Sequence, residues 1–224
     1  MSFEVDMVGG GSPEPIGALN RVPLLESGEP LVDLRAHCPG VKIARRCLPF
    51  LRVTAAELLN RAAELLPAGH TFLVRTALRT IEIQSRLYEG YFKQMQEAHP
   101  EWSHATLRRA TNRFFAPADQ KAPPGHCTGG AVDVHLLLPG GRRADLSSPY
   151  QGWSGAPTFI AGLTDRARRN RKIIYDAMTG VGFSNCRDEF WHYSYGDSAW
   201  AVRTGSPICY YGLAPPPASW RGRR

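Results

Sequence analysis

One carboxylate sits inside an apolar run, Ala131-Val132-Asp133-Val134-His135-Leu136-Leu137-Leu138, and this constrains the fold more than any other feature. Gly129-Gly130 precede the run and Pro139-Gly140-Gly141 follow it, so it reads as a buried strand ending in a turn that starts a hairpin. An ionised side chain on such a strand is costly unless it is paired or coordinates a metal. The fold must therefore bring a partner to Asp133. His126 lies just upstream in Gly125-His126-Cys127-Thr128-Gly129-Gly130, where the glycines let the backbone turn tightly enough for both side chains to approach one point. By itself a His-x6-Asp pair fits a buried hydrogen-bonded couple as well as two metal ligands.

A second segment, Asp188-Glu189-Phe190-Trp191-His192-Tyr193, places a carboxylate three residues before a histidine among aromatics. Alone it also reads as an exposed acid beside an aromatic strand. A zinc hydrolase needs two or three N/O ligands, an open position for water and a base that is not a ligand. His126, Asp133 and His192 form such a ligand set, and Glu189 such a base.

The two segments together resemble the D-alanyl-D-alanine dipeptidases of the vancomycin-resistance type. They also resemble the wider group of zinc peptidases that includes D-alanyl-D-alanine carboxypeptidases and the hedgehog signalling domain. The shared pattern, His-x-x-Gly-x-Ala-x-Asp and then Glu-x-Trp-His, is met by His126, Gly129, Ala131, Asp133, Glu189, Trp191 and His192. The resemblance implies one Zn²⁺ per chain on His126, Asp133 and His192, with Glu189 activating its water and a small cell-wall peptide as substrate. It also implies an arginine that polarises the scissile carbonyl. Arg79 holds that place, followed by Thr80 where the family has proline, with Arg75 as the fallback. Two positions depart from the pattern: Pro124 stands where a serine usually contacts substrate, and Gln151 where an aspartate holds the substrate's ammonium. Gln151 and Trp191 are the expected substrate contacts. A carboxypeptidase or endopeptidase acting on longer stem peptides is the alternative enzyme, and a non-catalytic zinc module the alternative class.

Around these motifs the sequence predicts a helix from a Thr54-Ala55-Ala56-Glu57 capping box, stopped at Pro67 and Gly69, then a strand over 71–74 and a helix over 81–98. Ser103 caps a helix to 115, residues 116–130 form a loop, a helix runs over 165–178, and short strands follow at 190–195, 199–203 and 208–211. This mixture without regular βαβ spacing gives an α+β domain with a central, mainly antiparallel sheet flanked by helices, as in the hedgehog and D,D-peptidase group. The expected boundaries are an irregular wrap over 1–50, the peptidase domain over 51–212 and a loose basic tail over 213–224.

The net charge of +7 raises the question of nucleic acid, but the basic residues are scattered and no nucleic-acid motif accompanies them. No apolar run is long enough for a membrane span. The first residues, MSFEVDMVGGG, lack the basic and apolar regions of a secretory signal, and the five cysteines include no CxxC pair. A cytoplasmic protein with reduced thiols, a small peptide substrate and no nucleic-acid or membrane partner is expected; the sequence leaves the oligomeric state unknown.

Overall fold

The computed structural model describes residues 14–218 and 220. Along the chain, α1 (Ile16–Leu19), β1 (Leu31–Asp33), α2 (Leu34–His37), β2 (Lys42–Ile43) and β3 (Phe50–Arg52) lead into α3 (Val53–Glu64) and β4 (Thr71–Thr76). Then come α4 (Ile81–Ala98), α5 (His104–Asn112), the one-turn α6 (Gly125–Thr128), β5 (Ala131–Leu137), α7 (Asp165–Thr179), β6 (Ser184–Asn185), β7 (His192–Ser194) and α8 (Ser198–Thr204). The main sheet has the order β2-β4-β5-β7-β6 and is antiparallel except between β2 and β4. This is the expected α+β architecture.

β5 is the centre of the sheet and its alternation separates core from site. Val132, Val134 and Leu136 join the main core with Leu59 and Ala62 of α3 and Ile174 and Met178 of α7. Asp133 and His135, one residue out of phase, point to the other face. A one-residue slip would drive the carboxylate into the hydrocarbon, so burial itself fixes the register. That register sets Asp133 directly opposite His192 of β7 and Thr76 of β4, with a bulge between Val74 and Thr76.

Several local expectations are corrected. Thr54 does not cap α3: the helix starts at Val53 straight out of β3, and the Thr54 N–H donates to the remote Glu29 carboxylate at 3.0 Å. Ser103 does cap α5, but that helix ends at Asn112. Residues 199–203, read as a strand, lie in α8, because Asp197 accepts from the Trp200 N–H at 2.7 Å and Gly205, at φ 73°, ends the helix. These caps override the β-prone Trp-Ala-Val sequence. The 208–211 stretch makes only an isolated bridge, Leu24 to Cys209, and the turn after β5 closes on one bridge, Leu137 to Arg143.

Residues 14–50, read as a wrap, contribute β2 to the sheet and Leu34, Cys38 and Val41 to its core. In the tail, Ala214 is buried and donates to the Cys127 carbonyl. The rest of the expected wrap, 1–13, and positions 219 and 221–224 lie outside the described residues. Among the described residues no helix is long and apolar enough to cross a membrane.

Candidate active site

The short helix α6 ends at Gly129, whose φ of 74° is the left-handed conformation that glycine adopts without strain, and this turn aims His126 back at β5. The Nδ1 of His126 lies 2.8 Å from the Ala77 carbonyl. A carbonyl only accepts, so Nδ1 carries the hydrogen and Nε2 of the neutral ring presents a bare lone pair. That Nε2 is 3.2 Å from Asp133 Oδ1 and 3.1 Å from His192 Nδ1, while His192 Nδ1 and Asp133 Oδ1 are 3.0 Å apart. Three donor atoms from three elements thus form a closed triangle.

With His126 neutral, no proton serves its edge to Asp133. The hydrogen on His192 Nδ1 serves one edge, leaving the bare Nε2 of His126 against a carboxylate oxygen. Burial would raise Asp133 and lower both histidines. Against it, His126 and His192 hold the Asp133 carboxyl well below the usual carboxylate range. Burial prevails at His126, which is lowered; at His192 it also opposes the charge, but the Asp133 hydrogen bond leaves that ring raised. A cation among the three atoms meets every lone pair at once. Tetrahedral bonds of about 2.0–2.1 Å to zinc place ligand atoms roughly 3.3 Å apart, close to the edges seen here, and two imidazoles with a carboxylate are a zinc donor set.

The triangle lies on the floor of a cleft of about 700 Å³, lined also by Arg79, Glu189, Trp191 and Trp153. Glu189 stands just before β7, and burial pushes its carboxyl up to about 7 against the pull of His192. Arg79 follows β4. Its backbone N–H donates to the His126 carbonyl at 2.9 Å, and its Nη1 donates to Gln84 Oε1 at 2.7 Å. Gln84, 2% exposed, passes the link on, its Nε2 donating to the Ala116 carbonyl at 2.7 Å.

The structure therefore brings together His126, Asp133, His192, Glu189, Arg79 and Trp191. It does not bring Gln151 there. Gln151 is exposed and does not line the cleft, because the 3₁₀ turn that starts at Gly152 sends Trp153 inward in its place. Arg75 is exposed on β4, His135 packs against Phe190 apart from the triangle, and Cys127 is fully buried. Gln84 lies within the expected helix over 81–98 and nothing in the sequence singles it out. Asp197 is fully buried, accepts from the Ser194 hydroxyl and the Trp200 N–H at 2.7 Å each, and presses its other oxygen against Gly125.

A family model, Peptidase_M15, described as D-ala-D-ala dipeptidase, matches residues 40–207. A D-alanyl-D-alanine dipeptidase of Synechocystis sp. (strain ATCC 27184 / PCC 6803 / Kazusa) is 25% identical, over 88% of this chain and 97% of its own length. One from Escherichia coli (strain K12) is 23% identical, over 75% of this chain and 86% of its own. Among solved structures, a mutant of the vancomycin resistance D,D-pentapeptidase VanY from a VanB-type cassette, in complex with Zn(II), is 16% identical with a TM-score of 0.44, covering 81% of this chain and 86% of that one. VanYB in complex with D-alanine-D-alanine is 14% identical with a TM-score of 0.46, covering 86% and 94%.

Proposed function

The chain belongs to the Peptidase_M15 family of D-ala-D-ala dipeptidases, and from that premise we propose that it is a zinc metallopeptidase hydrolysing D-alanyl-D-alanine or a related cell-wall dipeptide. The observation that carries this reading is the closed triangle of His126 Nε2, Asp133 Oδ1 and His192 Nδ1 on the cleft floor. Those three residues would hold one Zn²⁺ per chain, which would supply a Lewis acid and an activated water.

The chain's own groups do the rest. The Ala77 carbonyl fixes the His126 tautomer so that Nε2 is the free donor. Glu189 takes a proton from the attacking water and passes it to the leaving amine; a carboxyl lifted towards neutrality by burial is suited to both transfers. Arg79 offers permanently charged N–H groups to the oxygen of the scissile carbonyl as negative charge builds there. Trp191 and Trp153 line the cleft and offer aromatic faces to a peptide bound there. A reducing, cytoplasmic compartment suits five cysteines that are all free thiols.

A second reading, a carboxypeptidase or endopeptidase on longer stem peptides, is favoured by two observations. Gln151 is outside the cleft, and about 700 Å³ is room for more than two alanines. Zinc analysis with hydrolysis assays on D-alanyl-D-alanine and a stem pentapeptide tests both. One zinc per chain, release of free alanine from the dipeptide, and loss of turnover on chelation with the fold retained are expected. Undiminished turnover by metal-stripped protein would refute the zinc mechanism, and an intact dipeptide beside a trimmed pentapeptide would select the second reading.

A further inference from the structure

Arg171 of α7 is 2% exposed, and among the described residues it forms no ion pair. A cation buried without a counter-ion is retained where hydrogen bonds replace its water. Here backbone carbonyls accept four bonds from its five N–H groups. Nε and Nη2 donate to Leu146 at 3.1 and 2.7 Å, Nη2 also to Gly155 at 3.0 Å, and Nη1 to Pro157 at 2.7 Å. The guanidinium lies over the Phe190 ring, 4.1 Å from its centroid. Next to it, Asn170 Nδ2 donates to the Asp145 carbonyl at 2.8 Å.

These carbonyls lie at the two ends of one loop. Between them, over residues 147–154, the hydrogen bonds are local: Ser147 to Asp145, Tyr150 to Ser148, and Ala156 back to Trp153. From this loop Trp153 reaches the cleft, stacking on Phe114 at 4.6 Å and facing Trp191 at 6.1 Å. Phe190, under the guanidinium, sits between Glu189 and Trp191 in the chain, and its N–H donates to the Ala156 carbonyl at 2.8 Å. A single side chain therefore ties the Trp153 loop to the segment before β7 that carries Glu189. We propose that Arg171 is a positioning residue for substrate binding, clamping the 147–154 loop so that Trp153 closes one wall of the cleft.

The proposal rests on the reading of the cleft as the peptide site, so its test needs a readout independent of turnover. Zinc-loaded full-length protein, Arg171→Lys and Arg171→Met are compared by chymotrypsin cleavage after Tyr150 or Trp153, mapped by mass spectrometry, and by kinetics on D-alanyl-D-alanine. Lysine keeps the charge but cannot span three carbonyls; methionine keeps the packing and satisfies none. Loop cleavage is expected to accelerate about tenfold, and KM to rise roughly tenfold with kcat within about threefold, methionine exceeding lysine. Adding Trp153→Ala to Arg171→Lys should raise KM no further than the worse single variant, because both act through one contact. Parental loop cleavage in Arg171→Lys, or KM effects that multiply in the double variant, overturns the clamp. Should Arg171→Met fail to fold, the lysine variant and the double variant decide alone. Absence of hydrolysis by the parent would overturn the functional reading only, and the cleavage rates would still judge the loop.

Discussion

Replacing Gln84 with leucine isolates the support of Arg79 from Arg79 itself. The amide is 2% exposed, accepts from Arg79 Nη1 at 2.7 Å and donates to the Ala116 carbonyl at 2.7 Å. Leucine has similar bulk, so little cavity opens, but a part-buried carbonyl loses its donor at a cost of about 1–3 kcal/mol. For a chain of this length each kcal/mol lowers Tm by roughly 2–4 °C, giving a fall of about 2–12 °C. Activity should fall further than this stability loss explains. Removing an oxyanion donor altogether costs roughly 100- to 1,000-fold in kcat, which sets the ceiling. With Gln84→Leu the guanidinium is still present and its backbone still held by the His126 carbonyl, so a kcat loss of about tenfold is expected. Gln84→Glu keeps an acceptor for Arg79 but sets an oxygen against the Ala116 carbonyl, and should preserve more kcat at a similar loss of Tm. Steady-state kinetics and calorimetry on both variants decide it. A leucine variant with parental kcat and the expected drop in Tm would reduce Gln84 to a purely structural group.

Other perturbations have equally definite outcomes. His192→Ala should lose metal, and stoichiometric zinc after dialysis would remove that residue from the ligand set. In metal-stripped protein the buried Glu189 carboxyl, raised to about 7 in the fold, keeps a proton that the unfolded chain releases near about 4.3. Unfolding free energy should therefore decline as pH rises through that window, and Glu189→Gln should flatten the decline in urea titrations; identical pH profiles would contradict it. The same variant, loaded with zinc, should bind metal normally and lose about 100-fold or more in turnover. Leu59→Ala, at a fully buried position of α3, should cost about 2–5 kcal/mol by denaturant titration with zinc content unchanged.

The chemistry was readable because it is written in short spacings. His126 and Asp133 flank one glycine turn, and Glu189 and His192 share one segment; each is ambiguous alone, and the two together, with the family pattern they resemble, single these residues out. Arg79 was singled out by the family resemblance, which expects an arginine between a strand and a helix. Gln151 was misread for the opposite reason. Its loop has no periodicity, and which side chain turns inward is settled by a 3₁₀ turn and by the anchors at Leu146, Gly155 and Pro157. The capping box at Thr54 failed because a window of four residues cannot register Glu29, which reaches the same N–H from another part of the chain.

Period, capping residues and glycine turns act over a few positions, and from them the sequence alone determined the α+β class and the buried strand around Asp133, while two short motifs and the family they resemble pointed to the groups proposed to hold a cation and move a proton. Only the tertiary structure decided that β5 and β7 pair with Asp133 opposite His192, that Gln84 holds Arg79, and that a buried arginine fastens the loop over the cleft. Those are matters of which distant donor meets which acceptor once the core has packed. Water leaves the interior only as the whole chain closes, so no local stretch of sequence carries that information.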